Sequence, residues 1–337
     1  MWVRYYGIIL PPRRTVFPAE PLSPGLLFAC VLGLLVAATA GGWTLKPDLG
    51  RPKNISRAER PSDDYYLAHD HGGHVDHHVL YFGTDADALD HLKGADVVFL
   101  GNSRLMFAAR PKVLDAFFDA RGLRYYVLGF GFREADRFPL ALIEKFDLRP
   151  RLVIVNADGF FRNSLSDFAR TVMRDTQFGA WKFSSEAEAG HEVRRALHQL
   201  VPNYVDLLGR PGFPWRRELV IYRSRRNGTW QLSPWEPGTT PVGQRDLFNP
   251  ALAGREVAAA RRFKAAMDAR GVAMVVTHVP TPRPSGGGPA LFAELLGVPL
   301  VAAQPGGLLT EDGDHLDEAS AVAWSESFVR ELGRTLP

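Results

Sequence analysis

A chain of 337 residues with 40 Lys and Arg against 37 Asp and Glu has a formal net charge of only +3, and its basic residues are dispersed. That length allows a sizeable buried core, and the charge pattern argues against nucleic acid as a partner. The one cysteine, Cys30, excludes both an intramolecular disulfide framework and a cysteine zinc cluster.

Residues 1–23 form an N-terminal segment, and no charged side chain occurs from Pro21 to Leu45. Residues 24–45 reach the roughly 20 apolar residues that a bilayer-spanning helix needs, and they are read as a single membrane anchor. Ala37-Ala-Thr-Ala40 supplies the competing reading, the cleavage site of a signal peptide. Arg4, Arg13 and Arg14 before the span and Lys46, Arg51, Lys53, Arg57 and Arg60 after it leave the orientation undecided by charge.

Residues 46–78 read as a polar stalk punctuated by Pro47, Pro52 and Pro61. Its end, His69-Asp-His-Gly-Gly-His-Val-Asp-His-His78, packs five of the ten histidines into ten residues. Such a density suits zinc, copper or nickel, but the spacing matches no metalloenzyme signature. The favoured reading is a solvated loop, so no metal and no cofactor are expected.

The folded domain is placed at residues 79–337, beginning near Val79. Short β-branched runs there alternate with amphipathic stretches, the pattern of βαβ units and a parallel sheet. Strands are predicted at 96–100, 124–128, 152–156, 272–279 and 298–303, and helices at 112–121, 134–146, 251–270, 290–296 and 319–332. In the helix before the fourth strand, Ala258, Phe263 and Met267 mark the buried side, while Arg261, Arg262 and Lys264 face water. Residues 160–248 break the rhythm as a long insertion after the third strand, expected over the sheet's active edge. The insertion holds Trp181, Trp215, Trp230 and Trp235, four of seven tryptophans, and an Asn227-Gly228 hairpin signal between Tyr222 and Trp230. Its tryptophans either stack on sugar rings or pack the insertion's own core.

In an open sheet of this kind ligands bind at the carboxyl ends of the strands. The residues able to do chemistry fall there: Ser103 after the first predicted strand, Gly129 and Gly131 after the second, Asn156 and Asp158 after the third, His278 at the fourth, and Asp312 to His315 after the fifth. A serine at a strand end can meet a substrate as nucleophile. A histidine with an ordinary pKa near ~6.5 serves as base and then acid at neutral pH. Asp312 is the preferred orienting carboxylate for His315, with Asp314 as the alternative.

Leu100-Gly-Asn-Ser103 and Asp312-Gly-Asp-His-Leu-Asp-Glu-Ala-Ser-Ala321 resemble the first and last blocks of the SGNH, or GDSL-like, hydrolase superfamily, with Asn102 where many members carry Asp. The resemblance covers residues 94–160 and 255–337. It implies a three-layer α/β/α fold of flavodoxin-like strand order, five parallel strands, and a catalytic Ser103, His315 and Asp312. It also implies an oxyanion met by the amides of Ser103 and Gly129 and by a side-chain amide, each donor typically worth ~3 to 4 kcal/mol. The third block departs from the family pattern, with Asn156 where a Gly aligns and Asp158 where the Asn is expected. Either Asn156 supplies the donor from a shifted position, or Asp158 is protonated or structural, or the site is catalytically weak. Arg104 is left out of the site, because an arginine in a first helical turn is ordinarily solvated or paired with a carboxylate.

The anchor, Leu-Gly-Asn-Ser-Arg104 and Arg151-Leu-Val-Ile-Val-Asn-Ala-Asp-Gly-Phe-Phe161 more narrowly resemble membrane-tethered SGNH-like proteins of bacterial cell envelopes. That likeness implies a serine esterase or O-acyltransferase acting on acyl groups of an envelope glycan. It also implies a single-pass inner-membrane protein with a periplasmic catalytic domain and a membrane-protein partner. The alternative is a catalytically inactive relative that binds glycan or assembles with such a partner.

Overall fold

The computed structural model describes residues 61–70, 73–131, 134–200, 220–233, 238–242, 254–282 and 288–335. The expected anchor at 24–45 lies outside them; among the described residues no helix is long and apolar enough to cross a membrane.

The elements run in chain order as β1 (Tyr65–Asp70), β2 (Gly73–His74), α1 (Val75–Phe82), α2 (Ala86–Lys93), β3 (Val97–Gly101), α3 (Ser103–Ala108), α4 (Pro111–Asp119), β4 (Tyr125–Gly129), α5 (Arg137–Lys145) and β5 (Leu152–Asn156). The inserted region follows with α6 (Asp167–Val172), α7 (Gln177–Leu200), β6 (Val220–Ser224), β7 (Trp230–Ser233) and β8 (Thr240–Pro241). The chain then continues through α8 (Gly254–Asp268), β9 (Ala273–Thr277), α9 (Pro289–Leu296), β10 (Leu300–Val301), β11 (Leu309–Thr310) and α10 (Glu318–Thr335).

Every residue of β3, β4 and β5 is buried, as continuous apolar runs must be in a parallel sheet covered on both faces. With β9 and β10 they form a five-stranded parallel sheet in the order β10-β9-β5-β3-β4. Counted along the chain that order is 2-1-3-4-5, the flavodoxin-like arrangement. Strand alternation divides the core into two layers. Val97, Phe99, Val127 and Ile154 pack with Leu105, Leu114, Phe118, Trp324 and Phe328 from α3, α4 and α10. Val98, Leu100, Leu128 and Val155 pack on the opposite face with Leu92, Phe138, Phe263 and Phe292 from α2, α5, α8 and α9. Full burial of each such side chain contributes roughly 1.5 to 3 kcal/mol.

Helix α8 shows a phase difference from the predicted pattern: Ala259 and Ala260 join Phe263 and Met267 in the core, and Ala258 is exposed. Arg262 reaches across to the buried carboxylate of Asp136 at 2.8 Å.

Residues 61–70 and 73–78, expected in a stalk, belong to the folded domain. Strand β1 pairs antiparallel with β6 in a second sheet ordered β2-β1-β6-β7. Tyr66, Leu67 and Ala68 are buried in it, so the folded part includes β1 and does not begin near Val79. The histidine-rich stretch is likewise no solvated loop, since His74, His77 and His78 are buried. Their imidazoles lie against aromatic rings, His77 on Phe138 at 4.9 Å and His78 on Phe183 at 4.4 Å. Composition does not show this, because histidine counts as polar whereas a paired imidazole packs as a flat ring.

The predicted hairpin is β6–β7, with Arg223 opposite Trp230 and Gly228 at φ 70° in the connecting turn. The turn docks on the outer side of β4, where the Asn227 carbonyl accepts from Val127 N at 2.8 Å. A Cβ at Gly228 would lie 2.5 Å from the Val127 carbonyl, so glycine is needed there for space as well as for conformation. The described hairpin therefore covers the edge of the sheet beside β4. Trp230 is core, Trp181 is 57% exposed, and Trp215 and Trp235 lie outside the described residues.

Candidate active site

Strand β3 ends at Gly101, where a Cβ would lie 2.9 Å from the Leu105 side chain and 3.0 Å from Asn156. Glycine there leaves room for the Leu105 and Asn156 side chains beside the turn into α3. Asn102 caps that helix: its Oδ1 accepts from Arg104 N at 3.1 Å while its Nδ2 donates to the Asp158 carbonyl at 2.8 Å. Ser103, the first residue of α3, is thereby fixed at the carboxyl rim of the sheet.

The second half of the site comes from the loop between β11 and α10. Asp312 Oδ1 accepts from the amides of Asp314 at 2.9 Å and His315 at 2.8 Å, closing a turn in which Gly313 adopts φ 83°. Two intervening residues thus let the Asp312 carboxylate fold back to the ring, with Oδ2 at 2.7 Å from His315 Nδ1. On the other side of the imidazole, Nε2 lies 2.8 Å from Ser103 Oγ. With Nδ1–H given to Asp312, Nε2 is the acceptor for the serine proton, the tautomer that general-base work requires. The Phe107 ring, one helical turn beyond Ser103, stacks on the imidazole at 4.2 Å and limits its tilt.

Burial pushes the Asp312 carboxyl upward, but its bond to His315, the charge of that ring and the two amides outweigh burial and hold it well below the usual carboxylate range. Asp312 is ionised at neutral pH and ready to stabilise an imidazolium. Asp314, the alternative orienting group, points elsewhere: it accepts from Arg104 Nη2 at 3.0 Å.

Arg104 is the member that sequence reasoning left out. Its buried guanidinium also pairs with Asp158 through Nη1, so one side chain ties the end of β5 to the loop carrying His315. Burial lowers the Arg104 pKa, yet the two carboxylates outweigh it and raise the value. A signal was available: Asp158 stands where an amide is expected, and a buried carboxylate needs a cation, for which Arg104 is the candidate within the same blocks.

The remaining predicted residues occupy the same rim. Asn156 is fully buried; its Oδ1 accepts from Val279 N at 3.2 Å and its Nδ2 faces Asn102 Oδ1 at 3.4 Å. Asp158 faces Arg104, and its charge is met there. Gly129 makes room for α3, since a Cβ would lie 2.5 Å from Met106 Sδ, and its carbonyl accepts from Arg223. His278 is buried with its carbonyl accepting from Trp324 Nε1 at 3.3 Å. Burial lowers the His278 imidazole pKa, opposed by the Asp158 charge and reinforced by that of Arg104.

Fold and site together define an α/β protein with a Ser-His-Asp relay on the carboxyl edge of a parallel sheet. No family model matches the chain, and no curated protein matches it. Among solved structures it is similar to a protein from Bacteroides fragilis titled a "putative acylhydrolase", at 13% identity and a TM-score of 0.35, covering 76% of this chain and 99% of that one.

Proposed function

We propose that this protein is an SGNH-like serine esterase or O-acyltransferase that acts on acyl esters of a cell-envelope glycan, tethered to the membrane by residues 24–45 with its catalytic domain on the periplasmic side. The single observation that carries the catalytic part is the unbroken line from Asp312 Oδ2 through His315 to Ser103 Oγ, with contacts of 2.7 and 2.8 Å. The sequence blocks around Ser103 and His315 and the 2-1-3-4-5 strand order support the same reading. The apolar stretch at 24–45 is the support for the tether.

In this reading Ser103 Oγ attacks the acyl carbonyl as His315 Nε2 takes its proton, and Asp312 stabilises the resulting imidazolium. His315 then returns the proton to the departing sugar hydroxyl, leaving an acyl-Ser103 ester. Water attacking that ester makes the protein an esterase; a second glycan hydroxyl makes it a transferase. The Ser103 amide meets the oxyanion, while Asn156, fully buried between Asn102 and Val279 N, braces the rim from beneath. Asp158, its charge neutralised by Arg104, is structural, so the departure in the third block is compatible with turnover.

The test is covalent labelling by a fluorophosphonate probe together with turnover of a simple acetyl ester. Labelling that disappears in Ser103→Ala, with ester cleavage lost in parallel, is the expected result. Folded wild-type protein that neither labels nor cleaves the ester would overturn the enzymatic reading in favour of a glycan-binding or assembly role.

A further inference from the structure

We propose that His74, Asp76 and His77 hold a transition-metal ion of the zinc class, with Glu134 as the carboxylate that orients His77. The three residues are all buried, and one ligand atom of each lies within 4.8 Å of the others. Ligands bound to one tetrahedral ion at ~2.0 to 2.1 Å stand about 3.4 Å apart, so small side-chain rotations close the triangle. One edge is now a hydrogen bond, His77 Nδ1 to Asp76 Oδ1 at 3.0 Å, whose proton the ion would displace to solvent.

The surroundings have the form that metal sites require. The second nitrogen of His77 lies 3.2 Å from Glu134 Oε2, the carboxylate behind a ligating histidine that fixes ring orientation. Glu134 is itself held, accepting from Ala135 N at 3.3 Å, from Ser166 N at 3.2 Å and from Ser166 Oγ. The outer oxygen of Asp76 faces Arg223 Nη2 at 3.4 Å. His74 is walled by His69 at 4.4 Å and Phe168 at 4.2 Å. Two imidazoles and one carboxylate suit zinc, or nickel and copper within the same class, and not calcium or magnesium, which take oxygen donors. Three protein ligands leave a fourth position for water.

The position in the fold assigns the ion a task. His74 and Asp76 sit where β2 passes into α1, Glu134 precedes α5, and Arg223 carries the link onward to the Gly129 carbonyl. An ion there would pin β2 and α1, and through Arg223 the β6–β7 hairpin, to the strand end beside α3.

The experiment uses the full chain, stripped with a chelator and titrated with Zn²⁺ alone, read by calorimetry and by metal analysis after gel filtration; Co²⁺ in its place reports geometry through its visible bands. One tightly held equivalent is expected. Glu134→Gln should weaken it 10- to 100-fold, as loss of an orienting carboxylate does, and His74→Ala by more. Because His77→Ala would leave the Asp76 and Glu134 carboxylates facing each other, these two variants carry the test, with circular dichroism confirming their fold. No stoichiometric uptake, or uptake unchanged by both substitutions, would overturn the site and leave a closed Asp76-His77-Glu134 bridge. The readout is metal content, so its failure is distinguishable from failure of the esterase reading.

Discussion

His315 and His77 are built from the same parts and differ in one neighbour. Each imidazole has an aspartate on Nδ1, at 2.7 Å for His315 and 3.0 Å for His77. On Nε2, His315 meets the Ser103 hydroxyl and His77 meets the Glu134 carboxylate. The His315 side chain is 19% exposed at the rim, whereas that of His77 is fully enclosed. A hydroxyl can give up a proton and take it back, so the first arrangement can cycle. A carboxylate on both sides holds the ring in place, with no hydroxyl there to pass a proton back and forth. Histidine content therefore says little about chemistry; the second neighbour and the access of substrate decide it.

The sharpest way to break this comparison is to remove the hydroxyl or the ring it faces. Ser103→Ala and His315→Ala should each cut ester turnover on the order of 10⁴-fold or more with circular dichroism unchanged, measured with an acetyl ester. Equal loss on His77→Gln in a folded, fully stable protein would make the sealed histidine a participant and end the distinction. Asp312→Asn should follow closely, at about 10³- to 10⁴-fold, because the imidazole then loses its tautomer. Asp314→Asn should fall well short of that, since Asp314 holds Arg104 and not the ring; the reverse ranking would reassign the orienting carboxylate.

Arg104→Gln sharpens the comparison from the stability side. It strands the buried Asp158 carboxylate, a change that costs about 3 to 5 kcal/mol, and Arg104→Gln with Asp158→Asn should recover part of the loss in urea melts. A single variant as stable as the double would show that the pair contributes little. The smallest effect concerns His278, whose folded pKa is lowered from the ordinary value near 6.5. The unfolded chain then binds the proton more readily, so the contribution of His278 is present above that value and is lost as pH falls through the depressed folded one. Unfolding free energies from urea melts should drop between pH 7 and pH 5 by less than ~1.4 kcal/mol per pH unit from this group, and His278→Gln should flatten that slope.

Much of the parallel sheet was legible because strands buried on both faces must be apolar throughout. The run at 152–156 coincides with β5, and 96–100 is displaced by one residue from Val97–Gly101. The phase of α8 was not legible, since Ala258, Ala259 and Ala260 carry no contrast between buried and solvent sides. Nor were β1 and the burial of His74, His77 and His78, which depend on pairing with a hairpin about 150 residues downstream and on aromatic neighbours that no local pattern reports. At the site, the meeting of Asp312, His315 and Ser103 follows from residue types at strand ends. The pairing of Arg104 with Asp158 and Asp314 does not, because it joins three separate segments and is visible only once they converge.

The docking of the Asn227 turn on Val127 has a colloidal consequence. An outer strand of a β-sheet is a template on which a neighbouring molecule can lay down its own backbone. Here Asn227 and Arg223 occupy main-chain groups on the free side of β4, and the opposite margin, β10, is only two residues long. Molecules crowded together thus meet, at this sheet, little unfilled ladder on either described flank, which disfavours growth of fibres edge to edge through it.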